Sequence, residues 1–251
     1  MKTDDRYAYR YDANGNLVEK GSEYTVDGDE VEISANGEEY WRYDYDLFNR
    51  LVSVGTASEG GAERTVATYA YDHQGRRVYR IGDATEEADA ETTITRYSFD
   101  VSGRIVEETT SGETTVYVFG FGKHLAKVEG YGTGAEATFF YLTDHLGTTT
   151  GLTDETGLLI WRDDASPFAD ATGASISRGG LHYSNARWYD ARTGRFTTED
   201  PIRDGWNWYQ YASANPLLYV DPDGVEDAPF SRSQGEYDLL PTIPRVETGD
   251  R

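Results

Sequence analysis

One figure constrains this chain more than any other: aromatic, any residue, aromatic, aspartate, two free positions, then glycine or asparagine. It occurs at Tyr9–Gly15, Tyr43–Asn49, Tyr69–Gly75 and Tyr97–Gly103, and a valine follows at a fixed offset each time, as Val18, Val52, Val78 and Val106. Aromatics two residues apart stand on one face of a strand. The aspartates (Asp12, Asp46, Asp72 and Asp100) can accept backbone N–H groups of their own turn before a glycine or asparagine takes a positive φ. Each unit therefore predicts a strand, a tight turn and a return strand. Arg50, Arg76 and Arg104 come directly after the turn, where a guanidinium can pair with the turn aspartate or cover a ring on a neighbouring strand. The unit is constant while its spacer varies. The expected architecture is all-β, about ten to fourteen mostly antiparallel strands in a curved or spiral sheet.

Composition agrees with that pattern. The chain has 20 Tyr, 9 Phe and 5 Trp beside one Met, and 27 Gly, which suits pleated surfaces joined by many tight turns. A net charge of −22 argues against a nucleic-acid partner. No apolar run approaches the roughly 20 residues needed to cross a bilayer, so no membrane insertion is expected, and the basic start is not followed by the apolar stretch of a secretory signal. With no cysteine, thiol chemistry, disulfides and Cys-based zinc sites are absent. Lysine occurs only at Lys2, Lys20, Lys123 and Lys127, among 23 basic residues. An acidic, lysine-poor surface fits a halophile, and the Arg bias fits high genomic G+C equally well. The halophile reading predicts that the melting temperature rises between low and molar KCl as carboxylate repulsion is screened. A flat or falling melt over that range contradicts it.

A second region begins near Phe139, with Phe139–Gly147, the turn Asp154-Glu155-Thr156-Gly157 and then Trp161. Residues 165–180 are rich in Ala, Ser, Gly and Asp, which reads as a loop or irregular crossing. Then come Tyr183-Ser184-Asn185-Ala186-Arg187-Trp188-Tyr189-Asp190, Gly194-Arg195-Phe196, Asp200-Pro201 and Asp221-Pro222-Asp223-Gly224-Val225. Beyond Val225 the chain is acidic, Pro-bearing and nearly aperiodic, a tail or linker too short for an enzyme domain of about 50 residues or more. The expected organisation is residues 1–138 as the repeat region, 139–225 as a second unit with an irregular plug, and 226–251 as a variable, flexible tail.

At these residues the sequence resembles the RHS/YD-repeat family. The stretch Ala186–Gly224 resembles the RHS repeat-associated core found near the C-terminal end of polymorphic toxins and Tc-toxin C components. The resemblance covers almost the whole chain to Gly224. It implies a β-strand spiral that closes into a hollow cocoon around a C-terminal effector, with the core forming the plug, and delivery to the cell surface or outside as part of a larger system. It also implies a single-turnover aspartyl autoprotease that uses two aspartates and an upstream arginine. Carried onto this chain these are Asp200, Asp221 and Arg187, with the cut between Val225 and Glu226. Arg203 stands where the family has Gly in the first Asp-Pro motif, and Val225 where it has Leu. Two carboxylates held close do not both ionise easily, so one can donate a proton while the other accepts one from water. Asp200 and Asp221 can equally serve as turn caps before proline.

Other constellations are weaker. Asp12, Asn14, Asn16 and Glu23 fit part of a calcium-loop count, but Leu17 stands where such a loop needs Gly and strands flank it, so a plain hairpin is expected. His73, His124, His145 and His182 form no His-Glu-x-x-His, and no Gly-x-Ser-x-Gly occurs, so metalloprotease and serine-hydrolase readings lack their parts. No metal and no cofactor is expected. Three functions stay open at this level: an encapsulating or presenting scaffold, an autoprotease, and a carbohydrate- or surface-binding module whose tyrosine rows stack on sugars. Expected partners are the chain's own or a parent chain's C-terminal effector segment, the remainder of an RHS shell, or a second copy meeting an open sheet edge.

Overall fold

The structure is a computed structural model that describes residues 2–4, 6–57, 62–83, 91–120, 123–143, 149–162, 176–177, 181–203, 205–216, 218–221, 224–225 and 227–229. Of the expected tail, Glu226 and residues 230–251 lie outside the described residues, as do Asp144-His145 and most of 165–180, whereas Ala228–Pro229 pairs as a short strand with Tyr219–Val220. Fourteen antiparallel strands form one sheet almost in chain order. They are Lys2–Thr3, Ala8–Tyr11, Leu17–Gly21, Tyr40–Tyr45, Leu51–Ala57, Glu63–Tyr71, Arg77–Asp83, Thr92–Phe99, Ile105–Thr110, Glu113–Gly120, Lys123–Glu129, Ala137–Thr143, Thr149–Thr153 and Leu159–Arg162. Among the described residues the only departure from strict succession in this sheet is a separate two-stranded hairpin, Tyr24–Asp27 with Glu30–Ile33. It is inserted between the first two repeats and accounts for their longer spacing.

The turn chemistry is the same in every repeat. The N–H of Gly15, Asn49, Gly75 or Gly103 donates to the carbonyl of the turn aspartate, and each of these residues has positive φ, from 58° at Asn49 to 82° at the glycines. Oδ1 of Asp46, Asp72 and Asp100 accepts the N–H groups two and four residues on. Their Oδ2 atoms take Nε of Arg50, Arg76 and Arg104 at 2.7, 2.7 and 2.8 Å. The same guanidinium groups lie over the next aromatic along the ribbon, Arg50 over Tyr71 at 5.0 Å, Arg76 over Phe99 at 4.8 Å and Arg104 over Phe119 at 4.8 Å. Each arginine thus pairs with its own turn and stacks on the following unit. Hydroxyls add a second stitch, with Tyr45 donating to the Leu17 carbonyl at 3.0 Å and Tyr71 to the Leu51 carbonyl at 2.7 Å. Asp12 and Asn16 make the same turn with an amide in place of the arginine, so Asp12, Asn14 and Asn16 of the calcium-loop count belong to a hairpin turn, while Glu23 lies beyond its return strand.

These turns carry a pH dependence. Burial pushes the Asp46 carboxyl up, but hydrogen bonds from Arg50 and from the backbone outweigh it and leave the group below its ordinary value of 3.8; Asp72 behaves alike with Arg76. A carboxylate depressed by folding stabilises the native state above its unfolded value, and that contribution is lost as pH falls through the folded value. The stability difference between wild type and Asp72→Asn should therefore be constant from neutrality to about pH 4 and shrink below it. Urea titrations at several pH values check this, and a gap that stays constant into stronger acid contradicts it.

A second, four-stranded sheet is formed by Ile176–Ser177, Leu181–Ser184, Arg187–Asp190 and Arg195–Phe196. It packs onto the first half of the ribbon as a plug, joining Tyr9, Leu17, Tyr43, Leu51, Val54, Val66 and Tyr69 to Leu181, Tyr183 and Trp188 in one core. The leading tyrosines of the repeats, Tyr9, Tyr43, Tyr69 and Tyr97, are all buried, so their rings present no open row for a sugar. Two cations are buried in this contact. Arg77, 1 % exposed, lies 4.4–5.5 Å from the rings of Tyr183, Tyr97, Trp188 and Tyr69. Lys20 Nζ meets Asp190 Oδ2 at 2.7 Å with both side chains sealed from solvent, beneath the rings of Tyr7 and Tyr9. The later ribbon is not covered in this way, and Val118, Phe140, Leu142, Leu159, Ile160 and Trp161 are exposed.

Candidate functional site

Strand alternation decides what Arg187–Asp190 can do. Trp188 and Asp190 face the ribbon, Trp188 against Tyr69 and Tyr183 at ring separations of 4.9 and 5.0 Å and Asp190 against Lys20. Arg187 and Tyr189 face the other way, toward Phe196 and, for Tyr189, Tyr211. The strand starts from a tight turn after Ser184, with Asn185 at φ 41°. Arg187 is thereby anchored at the point where the plug sheet meets the chain that follows it.

The structure brings Arg187, Asp200 and Asp221 together, all three buried at 3, 6 and 4 % exposure. Arg187 Nη2 lies 3.2 Å from Asp221 Oδ2 and 3.9 Å from Asp200 Oδ2. Its other donors are used on backbone, with Nη1 donating to the Trp208 carbonyl at 3.0 Å and Nε to the Gly224 carbonyl. Burial pushes the Arg187 guanidinium below its ordinary range, and the charges of Asp200 and Asp221 oppose that shift. A cation so enclosed requires facing carboxylates.

Both aspartates are also turn caps, built on the chemistry of the repeat turns. Asp200 Oδ1 accepts the Ile202 N–H at 2.9 Å and its carbonyl accepts the Arg203 N–H. Arg203 has φ 53° and Gly224 φ 73°, so the two Asp-Pro motifs place a left-handed residue at the same offset. Asp221 Oδ1 accepts the Val225 N–H at 3.0 Å, four residues on. In the repeats Oδ2 goes to an arginine of the same turn; here Oδ2 of both aspartates faces Arg187, from another strand. Capping and pairing with Arg187 are therefore simultaneous. Gly224 is required by close approach, because a Cβ there would stand 2.4 Å from the Ser184 carbonyl oxygen and 3.2 Å from the Arg187 nitrogen.

The residues on either side of the expected cut divide. Val225 is held by Asp221, and Glu226 lies outside the described residues. Sequence reasoning named Phe196 and Lys20 without a role and did not single out Trp208, although Phe196 underlies Arg187, the Trp208 carbonyl binds it, and Lys20 anchors its strand. Only the scarcity of lysine set Lys20 apart. Among the described residues no group of three or more histidine, aspartate or glutamate side chains is arranged to hold a metal ion.

No established family profile matches the chain. It is 26 % identical to double-stranded DNA deaminase toxin A of Burkholderia cenocepacia over 94 % of this chain and 18 % of that protein. It is 27 % identical to probable deoxyribonuclease RhsA of Dickeya dadantii over 88 % of this chain and 16 % of that protein. The chain thus spans less than a fifth of the length of these relatives. Its fold matches the crystal structure of TcdB2-TccC3-TEV with a TM-score of 0.59 and 18 % identity, over 87 % of this chain and 13 % of that one. An all-β ribbon of aspartate-capped hairpins, similarity to toxin proteins that include an Rhs protein, and a fold shared with TcdB2-TccC3 all support the resemblance to RHS-type repeat proteins that the sequence carries.

Proposed function

We propose that this chain is a shell and plug segment that presents the residues following Val225 as an effector segment and severs them once, between Val225 and Glu226. The observation that carries the reading is the reach of Arg187. Its Nη2 faces both Asp221 and Asp200 while its Nε takes the Gly224 carbonyl just before the proposed cut. In this reading Asp221, engaged by Arg187 and by the Val225 N–H, is the charged partner and accepts a proton from the attacking water. Asp200, farther from the guanidinium, carries the proton that passes to the leaving Glu226 nitrogen. Water oxygen bonds to the Val225 carbonyl carbon, the C–N bond breaks, and a Val225 carboxylate and a Glu226 amine result. The tethered substrate gains effective molarity, so a modest acid–base pair suffices for one turnover. Intact mass of the purified chain tests the reading through loss of residues 226–251, and a chain that stays whole argues for a scaffold without catalysis.

As a scaffold, the ribbon ends on a strand whose Leu159, Ile160 and Trp161 are exposed beside Leu158. An open apolar edge invites pairing with the rest of a shell or with a second copy. Light scattering should show concentration-dependent association of the isolated chain. A monodisperse compact monomer that binds no apolar dye contradicts the incomplete-shell reading.

A further inference from the structure

We propose that Phe196 is a positioning residue for the aspartate pair, its ring fixing the plane of the Arg187 guanidinium on which both carboxylates converge. The functional consequence rests on the cleavage reading above; the positioning itself does not. The Arg187 Cζ stands 3.7 Å from the Phe196 ring centroid, the shortest cation–ring separation among the described residues. A planar guanidinium presents its donors in a fixed fork. Turning that plane would move Nη2 away from Asp200 and Asp221 and Nε away from the Gly224 carbonyl together. The edges of the group are held by polar partners, and Phe196 closes a face.

The ring is itself held firmly. It is 3 % exposed and meets Tyr189 and Tyr211 edge-on, at 5.8 and 5.9 Å with an interplanar angle of 69° in both cases. Its backbone N–H donates to the Tyr209 carbonyl at 2.9 Å, the next N–H, of Thr197, to the Trp188 carbonyl at 2.8 Å, and that of Asp200 to the Trp208 carbonyl at 2.8 Å. The segment that carries the platform therefore also carries one of the two carboxylates, and both are tied to the elements that hold Arg187. Leucine fills much of the same space without a flat π face; tyrosine keeps the face.

The test uses the full chain and two readouts. The first is the 15N NMR signal of Arg187 Nε–H, assigned by its loss in Arg187→Lys. Wild type and Phe196→Tyr should show a slowly exchanging signal, and in Phe196→Leu exchange should be at least about tenfold faster, with ribbon amide shifts unchanged. The second is the self-cleavage rate by intact mass, expected to fall roughly 100-fold in Phe196→Leu and to be retained in Phe196→Tyr, as small misplacements of reacting groups can cost this much. If leucine disturbs the ribbon shifts, Phe196→Met carries the same expectations. Unchanged Nε–H exchange in a folded Leu or Met variant, or loss of protection in a folded Tyr variant, overturns the proposal. Failure of wild type to cut removes the autoprotease reading, while Nε–H exchange still decides the positioning.

Discussion

Replacing Lys20 by methionine while Asp190 is left in place should lower the unfolding free energy by about 3–5 kcal/mol, the range for stripping one partner from a buried ion pair. Asp190→Leu should cost about as much, because either change strands an uncompensated charge in the interface between ribbon and plug. The pair is sealed, at 1 and 2 % side-chain exposure and 2.7 Å, and its members are 170 residues apart. It therefore acts as a long-range clasp between the strand Leu17–Gly21 and the strand Arg187–Asp190. Lys20→Met combined with Asp190→Leu should recover most of the loss, since apolar groups of similar size satisfy such a site without the desolvation penalty. Urea unfolding followed by tryptophan fluorescence reads the cycle, Trp188 being buried in the same contact. Single-variant losses below about 1 kcal/mol, the size of an exposed pair, would contradict the assignment.

The repeat hairpins were legible because their chemistry is local. Asp46, Asn49 and Arg50 complete one turn among themselves, and the same offsets at Asp72 and Asp100 make the same hydrogen bonds. Arg76 and Arg77 show where locality ends. Period-two alternation sends neighbouring side chains to opposite faces, but it does not say which face another sheet will cover. Arg76 pairs with Asp72 at the rim while Arg77 lies under the plug's Tyr183 and Trp188. Lys20 was illegible for the same reason: its partner is set by the docking of the plug and by nothing in its own neighbourhood. Ribbon strands beyond Phe99 continue the same hairpin pattern without that cover, so identical local signals lead to different burial. Arg187, Asp200 and Asp221 were reached through resemblance, not spacing. Their convergence depends on a turn at Asn185 and on backbone bonds from Trp208 and Gly224, which no side-chain pattern announces. Phe196 lay inside the most distinctive stretch of sequence, and its role follows only from the 3.7 Å contact.

The largest effect on chemistry is expected from either aspartate of the pair. Asp200→Asn and Asp221→Asn preserve size and most hydrogen bonding, yet each should leave the chain whole, because one carboxylate cannot serve at once as acid and as base. Arg187→Ala should do the same and also loosen the plug, since it leaves two buried carboxylates without their shared cation. Asp-Pro bonds are acid-labile, so a cut between Asp221 and Pro222 must be kept apart from one after Val225 by the masses of both fragments.

The most direct measurement is the intact mass of freshly purified wild type followed over days between roughly pH 5 and 7, beside Asp200→Asn and Asp221→Asn under the same conditions. The expected result is a wild-type chain ending at Val225 together with a peptide of residues 226–251, and both variants uncut. A wild-type chain that stays whole, or variants that lose the same peptide at the wild-type rate, would contradict self-cleavage by this aspartate pair.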